Sequence, residues 1–126
     1  MSDPAQALSR VLGRGSAHEG AHHWRAQRLT AIALLLLGAW FAVALALLPD
    51  YSFQTVHAWA AGTWHAVLLA LFVVVACWHS QLGVQVVIED YVHGWLRPAA
   101  LVLSGFVHVL LAVLALFAVA RIALGS

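Results

Sequence analysis

Uncharged apolar runs divide the chain into three long segments joined by short polar connections. Between residues 28 and 89 a single charged residue, Asp50, interrupts the pattern, and no charge occurs between Arg97 and Arg121. A helix needs about 20 predominantly apolar residues to cross a bilayer. The pattern predicts an all-α integral membrane protein, a bundle of three transmembrane helices. Their expected spans are approximately 29–48, 63–87 and 99–120.

The polar connections set the limits of these spans. Pro49 and Asp50 end the first apolar run, and the following residues contain Trp59, which suits an interfacial lead-in with an aromatic anchor. Pro98 precedes the third run at a position that the first turn of a helix tolerates. Residues 1–28 are expected to form a polar tail and residues 29–126 the transmembrane anchor domain.

Arginine is distributed unevenly about the three spans. Four of the six basic residues lie in the tail, a fifth lies in the second connection, and the first connection has none; in order they are Arg10, Arg14, Arg25, Arg28 and Arg97. Basic residues favour the cytoplasmic side. The N-terminus is therefore predicted to be cytoplasmic, and three spans place the C-terminus on the opposite side.

Composition narrows the class of protein further. The chain is 63% hydrophobic and 9% charged, which is typical of a membrane protein. It has no extended basic face, so nucleic-acid binding is not expected. The single cysteine, Cys77, lies within an apolar run and is interpreted as a small buried hydrophobic residue.

Three of the eight histidines lie at membrane depth: His65, His79 and His108. Polar groups at that depth are costly and are usually partnered or functional. A neutral imidazole is a common axial ligand of haem iron, and Gly83, four residues after His79, would let a flat macrocycle approach the backbone. An interhelical hydrogen bond is the alternative role for His79.

Asp90 follows His79 by eleven residues, which is close to three helical turns and about 16 Å along the same face. With Tyr91 beside it, Asp90 suits a polar ligand head whose tail stays in lipid. The alternative is a charged helix end that marks the membrane interface.

Two further groups of histidines have open interpretations. His65 and His79 are fourteen residues apart on nearly one face, a spacing compatible with two haems only if another chain supplies ligands. His18, His22 and His23 could contact haem propionates or a partner's carboxylates. Anchoring of a positively charged tail at the membrane surface is the alternative.

The chain resembles the small D-type cytochrome b anchor subunits of succinate dehydrogenase, respiratory complex II. The resemblance covers nearly the whole chain and depends on the end of the tail, the spacing of the spans and one segment above all. That segment runs from His79 to Gly94 and carries His79, Gly83, Asp90 and Tyr91.

The resemblance implies a non-catalytic subunit of the bacterial inner membrane that serves respiratory electron transport and the tricarboxylic acid cycle. It implies that His79 is an axial ligand of the iron of haem b, that Tyr91 contacts ubiquinone and that Asp90 belongs to the ubiquinone site. Arg28 matches, more loosely, an arginine near the haem propionates or the quinone pocket. The implied partners are a second cytochrome b anchor subunit with the other axial histidine, an iron–sulfur subunit and a flavoprotein subunit.

Two rival interpretations remain open from the sequence. A fumarate reductase anchor would share the architecture and reverse the electron flow. A small non-redox membrane protein would use its histidines only for packing.

Overall fold

The computed structural model describes residues 4, 5, 8 and 16–125. Arg10 and Arg14 lie outside the described residues, as does the side chain of His18. Within residues 16–125 the chain forms four helices: α1 (Ser16–Ala46), α2 (Phe53–Ala61), α3 (Thr63–Tyr91) and α4 (Leu96–Leu124). All regular secondary structure in the described part of the chain is helical, which confirms the predicted fold class.

Three of the helices are long and apolar enough to cross a membrane. They are α1 from Glu19 onward, with 28 residues, and α3 and α4, with 29 residues each. The predicted spans 63–87 and 99–120 lie within α3 and α4, whereas the span 29–48 runs two residues past the end of α1 at Ala46. Each helix also continues past its apolar stretch at one end or both. Charge limits how far a segment can enter lipid, whereas the Arg, Gln, Glu and Ala residues beyond that limit are good helix formers.

Helix α3 lies between α1 and α4. It contacts both, and the described residues of α1 and α4 make no contact with each other. Both neighbours run antiparallel to α3. Between α1 and α3, Thr30 pairs with His79 and Phe41 with Phe72. Between α3 and α4, Ser80 pairs with His108 and Gln81 with Ser104. One end of the bundle, here called the tail end, therefore contains the start of α1, the end of α3 and the start of α4. The opposite end contains α2.

The first connection is partly helical. Ser52 caps α2, its hydroxyl accepting a hydrogen bond from the Thr55 backbone N–H at 3.3 Å. The Ser52 hydroxyl and backbone N–H beside Asp50 hold the pKa of that carboxyl below its usual value. Gly62, in an extended conformation, joins α2 directly to α3. The expected interfacial lead-in is thus a nine-residue helix.

The second connection is a tight turn between α3 and α4. Gly94 adopts a positive φ of 67°, in the left-handed region that glycine enters without steric cost. Pro98 lies in the first turn of α4, where its missing N–H leaves no helical hydrogen bond unmade.

Few side chains are buried within the chain itself. Among the described residues only Thr30, Ala60 and Ala66 are buried, and large apolar side chains are exposed along all three long helices. Membrane helices associate through small residues and polar contacts rather than through a hydrophobic core. The exposed apolar faces therefore suit a lipid environment.

Candidate functional site

His79 lies in the middle of α3 and faces α1. Its Nδ1 atom is 2.9 Å from Oγ1 of Thr30, the most buried side chain described, at 4% exposure. The contact joins two helices at the depth where lipid offers no hydrogen-bonding partner. It fixes both the register of α1 against α3 and one edge of the imidazole ring.

The direction of this hydrogen bond follows from the other contacts of Thr30. Its hydroxyl lies 2.8 Å from the carbonyl oxygen of Ala26 and 3.1 Å from that of Gln27, and a carbonyl can only accept. The single hydroxyl proton is therefore donated to the backbone, most closely to Ala26. Thr30 Oγ1 then accepts from His79, which carries its ring proton on Nδ1.

The opposite nitrogen of His79 is left available. Its Nε2 atom has no hydrogen-bond partner among the described residues. A ring with its proton on Nδ1 presents an Nε2 lone pair, the form in which histidine binds metals. The imidazole can thus serve one axial position of a haem iron without breaking its contact with Thr30.

His108 shows the contrasting arrangement. Its Nδ1 donates to the Ser104 carbonyl oxygen at 2.8 Å, so its Nε2 accepts from the Ser80 hydroxyl at 3.0 Å. Both ring nitrogens are occupied. His108 is a packing histidine, and its chemistry differs from that of His79 although both lie in apolar helices.

The Ser80 and His108 contact belongs to a polar cluster between α3 and α4. In the same cluster the Ser104 hydroxyl donates to Oε1 of Gln81 at 3.0 Å. Ser80 and Gln81 directly follow His79 along α3. The cluster of Ser80, Gln81, Ser104 and His108 therefore holds one side of the His79 segment while Thr30 holds the other.

The glycine that follows His79 by one turn faces α1. A Cβ built at Gly83 would meet only Nε2 of Gln27, at 4.0 Å, which is ordinary van der Waals contact. Packing within this chain therefore leaves room above Gly83. That room is compatible with the predicted approach of a flat ring.

His65 lies at the opposite end of the bundle in an aromatic cluster. Its ring centroid is 5.0 Å from that of Trp59 and 6.3 Å from that of Trp40. Phe41 extends the cluster toward Phe72. These contacts give His65 a packing environment and do not bring it to His79.

Asp90 and Tyr91 lie at the tail end, at the last turn of α3. Both side chains are exposed, Tyr91 by 79%, and no hydrogen bond is formed to either within the described residues. The neighbouring Glu89 instead accepts from Gln85 at 2.9 Å. Since α3 is continuous from His79 to Asp90, the predicted separation of about 16 Å along one helix holds.

Arg28 lies on the side of α1 away from α3. It is two residues from Thr30, about 200° around the helix, and its guanidinium sits 5.2 Å from the Trp24 ring centroid in a cation–π contact. Its depth is closer to that of His79 than to that of Tyr91, because Thr30 and His79 set the register. Arg28 is therefore exposed and does not face His79 within this chain.

Sequence reasoning missed the helical tail and its packing. Glu19, His22 and Gln85 line a cavity of about 370 Å³ between α1 and α3. His23 also lines this cavity, and its Nε2 atom is buried without a hydrogen-bond partner among the described residues, as is Oε1 of Gln27 one turn further along α1. Ser16 and Glu19 have the spacing of a helix-capping box, a signal that could have identified this helix start.

Comparison with known proteins identifies the family. Residues 2–120 match the family described as succinate dehydrogenase/fumarate reductase transmembrane subunit. The chain belongs to this family. Its relatives include the succinate dehydrogenase hydrophobic membrane anchor subunit of Paracoccus denitrificans, 36% identical over 90% of this chain and 88% of that protein.

Anchor subunits with the same description from two Rickettsia species are also similar. Identity is 35% with the Rickettsia conorii protein and 38% with the Rickettsia bellii protein, over 62% of this chain in each case. The match spans 63% and 62% of those two proteins, slightly less than two thirds of their length. Together with three apolar helices, these matches confirm a multi-pass membrane protein and the role of a succinate dehydrogenase membrane anchor subunit.

Proposed function

We propose that this anchor subunit holds haem b through Nε2 of His79 and contributes Tyr91 and Asp90 to a ubiquinone-reduction site. Family membership supports the anchor role, and the relatives' names favour succinate dehydrogenase over fumarate reductase. Haem, when bound, supplies a one-electron carrier within the membrane. The finer assignments depend on this chain's own residues.

The single observation that carries the haem proposal is the free nitrogen of His79. Of the two histidines with hydrogen bonds between the long helices, His108 uses both ring nitrogens and His79 uses only Nδ1. A metal-binding histidine commonly donates its other ring N–H to an oxygen acceptor, which fixes its orientation. Thr30 provides that acceptor.

The ubiquinone proposal depends on the exposed end of α3. The phenol of Tyr91 has no acceptor within the described residues, so its O–H is available to a quinone carbonyl. A hydrogen bond to that oxygen strengthens as negative charge develops during reduction. Asp90, adjacent and also exposed, would orient a cationic or hydrogen-bonding group of a partner at the same site.

The open architecture of the chain supports the proposed partners. Among the described residues, helices α1 and α4 lie on either side of α3 without contacting each other, so this part of the chain does not enclose a cofactor by itself. A second histidine for the haem iron would come from a cytochrome b anchor subunit. The iron–sulfur and flavoprotein subunits would dock at the tail end, on the cytoplasmic side of a bacterial inner membrane.

Replacement of His79 tests the haem proposal. The complex is purified through a tag at the N-terminus of this chain, and recovery of a flavoprotein, an iron–sulfur protein and a second anchor checks assembly. In His79→Leu the loss of one axial ligand should leave the haem high-spin, weakly held or absent. The measurement is the reduced-minus-oxidised absorption spectrum per assembled complex.

His65→Leu and His108→Leu are the matched controls. Both remove a histidine from an apolar helix, and the assembled complex of each should keep the wild-type spectrum. A normal low-spin spectrum in His79→Leu, with loss of the haem in either control, would overturn the ligand assignment.

A further inference from the structure

The Thr30 hydroxyl lies where it can control the chemistry of His79. Thr30 is buried, is 2.9 Å from Nδ1 and donates its own proton to the backbone of α1. Because its proton is donated to the backbone, the hydroxyl oxygen can only accept a hydrogen bond from the imidazole. Packing of α1 against α3 does not require a hydroxyl at this position, since a valine would fill the same volume.

The backbone contact also restricts the rotamer of Thr30. A hydroxyl bonded to the carbonyl four residues earlier holds the side chain against its own helix. Oγ1 is therefore presented to α3 in a fixed direction. The acceptor is organised before any ligand reaches His79.

We infer that Thr30 is the positioning residue for His79: it fixes the Nδ1-protonated tautomer, aims Nε2 away from α1 and increases the electron donation of the imidazole. The inference rests on the proposed function of His79 as a haem ligand. An acceptor on the Nδ1 proton raises the basicity of the ligating nitrogen, and loss of such partners typically lowers metal affinity by 10- to 100-fold. A more basic ligand favours the ferric over the ferrous state.

Two consequences distinguish this role from helix packing. Without the acceptor, the haem midpoint potential should rise, because the ferric state loses the additional electron donation. The haem should also be lost more readily, by about 10-fold or more in affinity. A residue that only packed α1 against α3 would change neither the potential nor the ferric spectrum of the complexes that assemble.

The experiment compares four variants in the complete complex. Thr30→Val keeps the volume and removes the acceptor, Thr30→Ala removes it without crowding the interface, and Thr30→Ser restores the hydroxyl. Thr63→Val, at the exposed start of α3, is the control for a threonine-to-valine change elsewhere. The readouts are the haem midpoint potential by redox titration, the paramagnetic resonance of the ferric haem, and haem retention after dilution in detergent.

The expected result is a raised potential, an altered ferric signal and faster haem loss in Thr30→Val and Thr30→Ala, with Thr30→Ser and Thr63→Val like wild type. Wild-type potential and signal in Thr30→Val and Thr30→Ala would overturn the inference. Loss of both of these variants from the membrane while His79→Leu still accumulates would assign Thr30 to packing and would also overturn it. A failure of the proposed function is distinct, since His79→Leu would then keep its low-spin haem whatever Thr30 does.

Discussion

At the scale of single residues, two histidines in similar surroundings differ in what their hydrogen bonds leave free. The sequence placed both His79 and His108 at membrane depth, and apolar neighbours could not separate a ligand from a packing residue. The distinction lies in their hydrogen-bond partners, on their own and on neighbouring helices. Thr30 takes one nitrogen of His79, whereas Ser80 and the Ser104 backbone take both nitrogens of His108.

Tyr91 gives a residue-scale prediction for the ubiquinone site. Tyr91→Phe removes an exposed hydroxyl that bonds to nothing within the described residues, so the fold should be unaffected. One hydrogen bond to a charged group contributes about 1.5 to 3 kcal/mol, so succinate–quinone activity should fall by about 10-fold or more. Succinate–dye activity and haem content should persist, because the dye takes electrons before the quinone site.

Tyr51→Phe is the matched control for this substitution. The Tyr51 hydroxyl donates to the Leu45 carbonyl at 3.2 Å, at the end of the bundle opposite Tyr91. Its quinone activity should stay at the wild-type level. If Tyr91→Phe lost both activities equally, or neither, Tyr91 would not belong to the quinone site.

At the scale of helices, the bounds of lipid-compatible segments and the bounds of helices differ. Charged residues mark where a segment must leave lipid, and the three spans could be predicted from the sequence for that reason. Charges do not mark where the backbone hydrogen bonds of a helix end, so the helical residues before Arg28 were not predicted. The pairing of Thr30 with His79 could not be predicted from the sequence either. Helical periodicity gives the face on which each residue lies but not the register between two helices.

The polar cluster between α3 and α4 yields a prediction at this scale. Interhelical hydrogen bonds in membranes contribute about 0.6 kcal/mol on average and up to about 1.7 kcal/mol. Ser80→Ala and His108→Phe should each lower the thermal midpoint at which the complex loses its haem band. In a double-mutant cycle their coupling should be about 0.6 kcal/mol or more.

Gln81→Leu provides a second measurement on the same cluster. It removes the acceptor of the Ser104 hydroxyl but leaves the Ser80 and His108 pair intact. Its destabilisation should therefore add to that of Ser80→Ala. Strictly additive effects of Ser80→Ala and His108→Phe would show instead that those two residues do not interact.

At the scale of the whole molecule, the described part of the chain has three long helices and only three buried side chains. The apolar faces of α1, α3 and α4 are exposed, so little of the stability of the bundle comes from side chains buried within the chain. The proposed haem and ubiquinone sites on α3 are therefore incomplete within this chain. In the proposed sites His79 would supply one ligand to the haem iron and Tyr91 one hydrogen-bond donor to ubiquinone.

The prediction at this scale is which side of the membrane each end of the bundle faces. The tail end carries Arg25 and Arg28 on α1 and Arg97 on α4, whereas the opposite end of the long helices carries only Arg121. Cytoplasmic segments hold the excess of arginine, so the tail end should face the cytoplasm. Reporters fused after Arg14 and after Ser126 should then lie on opposite sides of the membrane.

A third reporter, inserted at Asp50 before α2, tests the arrangement of the helices as well as their number. Since α1 ends and α4 ends at the same end of the bundle, this reporter should lie on the side of the C-terminal one. Proposed docking of the iron–sulfur subunit beside Tyr91 requires the same orientation, because its electrons arrive from the cytoplasm. Reporters on one side at both termini would contradict the three-span arrangement, and an inverted pattern would place Tyr91 out of reach of those electrons.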